Sequence, residues 1–172
     1  ACAGTLDLVA WPDSLTFNVD LSPSPVYEDG PGEGVVGSGL CVVDRPFDIA
    51  HDAAIDPEVF TVECWVKIPE SLADGRHGWL LCKNSNEWQD GNFGFELRSE
   101  SVIATLNIGG GRENQRLLNG RQKLLPDAWH HLALSYDGKT ARFFVDGNPP
   151  EAAVVDRKRV PGKGLLRVGK RA

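Results

Sequence analysis

Residues 129–149 read WHHLALSYDGKTARFFVDGNP, and the spacing of apolar residues in this stretch decides the fold. Leu132 and Leu134 alternate with His131, Ala133 and Ser135, the period-two pattern of a strand with one buried face. Asp137-Gly138 then supplies a tight reversal, because glycine tolerates positive φ. Ala141, Phe143 and Val145 resume the alternation against Arg142 and Phe144, and Asp146-Gly147 turns the chain again. The reading predicts a β-hairpin with Leu132, Leu134, Phe143 and Val145 facing a core, and His131 and Arg142 facing outward.

The same alternation recurs outward from that hairpin. In FTVECWVKI (60–68), Phe60, Val62, Cys64 and Val66 share one face, while Thr61, Glu63, Trp65 and Lys67 share the other. Phe93, Phe95 and Leu97 alternate with Gly94, Glu96 and Arg98 before a turn into a strand over 102–108. Further strands are predicted over 5–11, 40–43, 79–83 and 165–169, and one helical turn within 51–57. Residues 22–34, 109–114 and 151–163 read as loops or connections, and Asn84–Asn92 is the most polar loop, carrying Trp88. With 172 residues, 19 glycines and 11 prolines, the chain suits one β-sandwich with many short strands. The predicted division is an N-terminal strand and irregular arm over 1–34, packed on a sandwich over 35–172. A formal charge of −6 argues against nucleic acid as partner. No apolar run reaches the roughly 18–20 residues of a membrane span, so membrane insertion is not expected. No charged-then-apolar leader opens the sequence, and a signal peptide is expected to be absent or already removed.

The wording of the hairpin resembles a known family. WHH-x-A-x-S-YDG-x-T-x-F-F-VDG is similar to the signature hairpin of the laminin G-like, concanavalin A-like domains of bacterial surface and secreted proteins. FTVECWVK and LLRVG (165–169) resemble two further strands of that family. The resemblance implies an all-β, concanavalin A-like jelly-roll sandwich of two antiparallel sheets. It also implies an extracellular, cell-surface or periplasmic location. It extends over about residues 35–170 and lacks the family's usual last strand. Residues 5–11, or a neighbouring chain, are expected to take that strand's place, unless the sequence is part of a longer chain.

Chemistry-bearing motifs are scarce. There is no G-x-S-x-G, H-E-x-x-H, phosphate loop or dinucleotide fingerprint, and no E-x-D-x-E of the sandwich glycosidases. Glu63 and Glu96 are candidate glycosidase carboxylates if one face holds them about 5–9 Å apart. The simpler reading is two solvated glutamates balanced by Lys67 and Arg98. His130 and His131 are adjacent on a strand and point to opposite faces, so one ion cannot take both, and packing roles are expected. Calcium is the candidate ion for such sandwiches; Asp29, Asp44, Asp48, Asp52, Asp90 and Asp137 are the available loop carboxylates, with no ligand spacing among them. The cysteines allow Cys64–Cys82 and Cys2–Cys41 disulfides or buried free thiols.

The candidate binding face gathers Glu63, Trp65, Lys67, Glu96, Arg98, Asn107, His131 and Arg142 on one concave sheet. Trp88 is a second stacking candidate, with Asn86, Asp90 and Arg112 near it. Against both stands the tendency of tryptophan to be mostly buried. The basic segment over 157–171 reads as solvated charge. The expected function is a non-catalytic extracellular recognition module, binding carbohydrate or a cell-surface protein and forming one piece of a longer chain. The alternatives are a glycoside hydrolase or polysaccharide lyase using concave-face carboxylates, and a structural domain of a larger surface protein.

Overall fold

The computed structural model describes residues 5–11, 32–33, 35, 38–42, 46–70, 77–99, 101–109 and 111–169, with the backbone alone at 5–11, 32–33 and 38–41. Its strands are β1 (Thr5–Trp11), β2 (Gly32–Glu33), β3 (Ser38–Cys41), β4 (Phe47–Ile49), β5 (Phe60–Lys67), β6 (His77–Lys83), β7 (Phe93–Arg98), β8 (Ser101–Asn107), β9 (Gln115–Lys123), β10 (Trp129–Tyr136), β11 (Thr140–Val145), β12 (Glu151–Val154) and β13 (Leu166–Val168). They form two antiparallel sheets, one of seven strands in the order β12-β11-β10-β5-β1-β3-β2 and one of six in the order β4-β13-β6-β7-β8-β9.

The hairpin that opened the reading is β10 and β11, with Leu132 opposite Val145 and Leu134 opposite Phe143. Both turns follow from local chemistry. The Asp137 carboxylate accepts hydrogen bonds from the backbone N–H groups of Lys139 (2.9 Å) and Thr140 (2.7 Å). Asp146 and Gly147 hold φ of 52° and 69°, the left-handed pair a two-residue reversal requires.

The expected inward faces meet between the sheets. Val62, Cys64 and Val66 of β5 and Leu132, Leu134, Phe143 and Val145 of the hairpin pack against Phe93, Phe95, Leu97 and Leu106 of the second sheet. Phe95 and Phe143 stack across this interface at 5.6 Å. Burial of apolar area at about 25 cal/mol per Å² is what holds the two layers together.

All seven residues of β1 pair with β5, from Thr5 opposite Lys67 to Trp11 opposite Thr61. With β10 on its other side, β5 has no open edge.

Several local expectations need correction. The connection over 151–163 begins with strand β12, because Arg142 and Phe143 offer an open edge opposite Ala152 and Glu151. The loop over 109–114 contains a 3-10 turn, Arg112–Asn114. Gly32–Glu33, inside the expected loop over 22–34, pair with β3, while 22–31 lie outside the described residues. The helical turn appears as Ala53–Ile55, capped by the Asp52 carboxylate accepting from the N–H of Ala54 at 2.8 Å. Cys64 and Cys82 are buried free thiols on strands of different sheets, so that disulfide is absent. Burial pushes the Cys64 thiol far above its ordinary pKa. Cys2 and the Cys41 side chain lie outside the described residues.

Candidate recognition site

The expected binding face does not assemble as one surface. Glu63, Trp65 and Lys67 lie on β5, His131 on β10 and Arg142 on β11, all directed outward from the seven-stranded sheet. Glu96 and Arg98 lie on β7 of the six-stranded sheet and point away from the core on the far side of the sandwich. The sequence pattern assigns each residue to an outer face but cannot say whose. The core therefore separates Glu63 from Glu96, and this pair does not form the two-carboxylate arrangement of glycoside hydrolysis. Arg98 instead bonds Glu96 at 2.7 Å.

On the outer face of the seven-stranded sheet the polar groups are largely occupied by one another. His131 lies opposite Trp65 in the ladder, their rings 5.0 Å apart, and its Nε2 is 3.4 Å from the Glu63 carboxylate. Lys67 lies over the Trp129 ring at 5.6 Å. Arg142 bonds Asp137 at 2.7 Å, and this, with the two turn N–H groups, holds the Asp137 carboxyl well below the usual carboxylate range. Ala133, between Glu63 and Phe144 on this face, is only 8% exposed, so neighbouring side chains close over it. His130 faces inward and bonds Asp146 through Nδ1 at 2.8 Å, while its Nε2 accepts from the N–H of Leu125 at 2.9 Å, a packing role.

The rim is different. The β6–β7 loop (84–92) and the β8–β9 connection (108–114) run side by side, and Trp88 stands on the first with 43% of its surface exposed. The guanidinium of Arg112 lies over its ring at 4.5 Å. The backbone beneath is closely fixed. Asn107, fully buried at the end of β8, donates to the carbonyls of Glu87 and Gly111, both at 3.3 Å. The N–H of Gly109 donates to its Oδ1 at 2.9 Å. The N–H of Gly91 donates to the Asn107 carbonyl at 2.9 Å, and that of Trp88 to Asn86 Oδ1 at 2.9 Å. Asp90 accepts from the N–H of Gly111 at 3.3 Å, so it ties the two loops together.

A buried polar hub anchors this rim from below. Asp56, Lys83, Asn84 and Arg159 are all almost inaccessible to water. Arg159 donates to Asp56 and to the Gly91 carbonyl, and Lys83 lies 3.5 Å from Asp56. Asn84 Nδ2 donates to Gly91 O at 2.9 Å, and Asn84 Oδ1 accepts from the N–H of Gly164 at 2.7 Å. Burial lowers the pKa of both cations, with Asp56 opposing the shift in each case. Glycine is required where the β12–β13 loop crosses Asn84. A Cβ at Gly162 would collide with the buried Asn84 side-chain amide. Asn107, expected on the open binding face, is internal instead, and Asn84 and the rest of the hub escape the sequence reading, because nothing local marks a polar residue as internal.

The described carboxylates of the expected calcium set each have partners within the protein. Asp48 is paired with Arg167 through both oxygens, which lowers its pKa. Asp52 caps a turn, Asp90 ties two loops and Asp137 holds a turn and Arg142. No group of three or more histidine, cysteine or acidic side chains among the described residues is placed to hold a metal ion. Asp29 and Asp44 lie outside those residues.

Two antiparallel sheets around one core define a jelly-roll β-sandwich. Residues 45–172 match the laminin G family of the concanavalin A-like lectin/glucanases superfamily, and the chain belongs to that family. No curated protein matches the chain. Among solved structures, it is similar to domains LG4-5 of the mouse laminin alpha1 chain, with 17% identity and a TM-score of 0.51 over 83% of this chain. It is also similar to a botulinum neurotoxin type C structure, with 9% identity and a TM-score of 0.57 over 98% of this chain. That toxin's cell entry is described as dependent upon interaction with two ganglioside molecules. The match spans 38% of each of those longer chains, and at such identity the likeness is one of fold. No helix among the described residues is long and apolar enough to cross a membrane.

Proposed function

We propose that the protein is a non-catalytic recognition domain that binds carbohydrate at the Trp88 rim. The observation that carries this reading is a large indole left 43% exposed on a loop whose backbone is fixed by hydrogen bonds from Asn84, Asn107 and Arg159. A rigid platform loses little conformational freedom on binding, and an exposed aromatic ring gains by covering the apolar face of a sugar. Arg112 lies over the ring, and Asn86 and Asp90, from the same loop as Trp88, supply further hydrogen-bonding groups for hydroxyls. The domain works outside the cytoplasm, at the cell surface or in the periplasm, as one piece of a longer chain.

The test is a glycan and polysaccharide panel probed with the wild type, Trp88→Ala and Trp65→Ala. The expected result is binding that falls on the order of 30-fold in Trp88→Ala, as for an aromatic anchor worth about 2 kcal/mol, and persists in Trp65→Ala. Binding to no glycan, or binding lost with Trp65 and retained without Trp88, would refute the assignment.

A further inference from the structure

The pairing of arginines is uneven across the molecule. Arg98 is bonded to Glu96, Arg121 to Glu151, Arg142 to Asp137, Arg159 to Asp56 and Arg167 to Asp48. Among the described residues, Arg112, Arg116 and Arg157 have no carboxylate partner, and all three converge on the 3-10 turn Arg112–Asn114 beside Trp88. Arg112 belongs to the turn and stacks on Trp88 at 4.5 Å. Arg116 donates from Nη1 to the carbonyls of Glu113 (3.3 Å) and Gln115 (2.9 Å). Arg157 reaches in from the β12–β13 loop and donates from Nη1 to Asn114 Oδ1 at 2.9 Å. Each guanidinium is thus held in position by a neutral group or a ring, with no described carboxylate bonded to it, although Glu113 belongs to the same turn. The nearby Asp90 carboxylate is turned to the N–H of Gly111.

Three arginines gathered on one turn without a bonded carboxylate stand apart from the five that are paired. Guanidinium is also the group that meets carboxylates and sulfates in planar, two-pronged fashion. Resting on the rim reading above, we infer that the sugar bound there carries an anionic group, a ring carboxylate or a sulfate ester. The group is met by Arg112, Arg116 and Arg157 while Trp88 covers the ring. Nucleic acid, whose phosphates the same guanidiniums could also meet, is the competing polyanion that the test must exclude.

Affinity electrophoresis and calorimetry with polygalacturonate, heparin, neutral dextran and a single-stranded oligothymidylate would test the inference. Binding to polygalacturonate or heparin, with dextran at least about tenfold weaker, is the expected result. Binding to heparin with none to polygalacturonate, which bears carboxylates alone, would point to the sulfate. Arg112→Gln and Arg157→Gln are each expected to weaken acidic-polymer binding about tenfold, as for one charge-assisted contact. Arg121→Gln, on a paired and exposed arginine, leaves it unchanged. Affinity should fall as salt is raised. Dextran bound as well as the acidic polymers, with no effect of Arg112→Gln, would overturn the anionic ligand and leave sugar recognition at Trp88 intact. Failure to bind any glycan would remove both. Oligothymidylate bound more tightly than either acidic polysaccharide, with the same arginine dependence, would overturn the inference in favour of nucleic acid.

Discussion

The outer face of the seven-stranded sheet and the Trp88 rim carry the same kinds of side chain and use them differently. On the sheet face, Trp65 meets His131, His131 meets Glu63, Lys67 lies over Trp129 and Arg142 is bonded to Asp137. Those groups satisfy one another because ladder register sets them opposite or diagonal at contact distance. On the rim, the backbone and buried amides do the holding, so Trp88 is presented outward with Arg112 and Arg157 exposed beside it. A promising list of residue types is therefore a weaker guide to a site than whether the fold has already given them partners.

The sharpest way to break this contrast is to remove the support under the rim. Asp56→Ala leaves Lys83 and Arg159 buried without their carboxylate, and loss of one partner from a buried ion pair costs about 3–5 kcal/mol. For a chain of this size that corresponds to a fall in Tm of roughly 6–20 °C, read by calorimetry. A wild-type Tm would mean that the hub does not anchor the rim.

Next comes the pair of tryptophans. Trp65→Ala should destabilise by about 1–3 kcal/mol while leaving glycan binding in place, because the ring packs among its neighbours. Trp88→Ala should change stability by about 0.5 kcal/mol or less and abolish most binding. Equal effects of the two substitutions on both measurements would erase the distinction between face and rim.

The smallest effect concerns exposed ion pairs. Arg167 holds the Asp48 carboxyl below its ordinary pKa, so the folded value lies below the unfolded one of about 3.9. Stabilisation from this pair is present above the unfolded value and lost as pH falls through the folded one. Arg167→Gln should cost no more than about 1 kcal/mol at neutral pH, and the difference from wild type should vanish in acid. Urea titrations of both proteins between pH 7 and pH 2 would show it, and a gap that widens in acid would contradict the assignment.

Much of the fold was legible because alternation is local. Phe60, Val62, Cys64 and Val66, and the hairpin residues Leu132, Leu134, Phe143 and Val145, announce their faces by spacing alone. The site was only partly legible. Trp88 with Asn86, Asp90 and Arg112 could be singled out because they fall in two polar loops. Arg157 could not, since it reads as part of a solvated basic segment and meets Asn114 only through the path of the β12–β13 loop. The pattern joins Glu96 and Arg98 to Glu63 on one face because alternation tells outside from inside and is silent about which sheet a strand enters.

By itself, the sequence determined that this is a laminin G-like β-sandwich, where its hairpin turns fall and which side chains fill its core, because strand period and turn chemistry act over a few neighbouring residues. Only the tertiary structure decided which outward residues share a surface, which polar groups are internal and which cations have a bonded carboxylate. Those properties depend on contacts such as Arg159 with Asp56 and Arg112 with Trp88, which join residues far apart in the chain through the packing of two sheets.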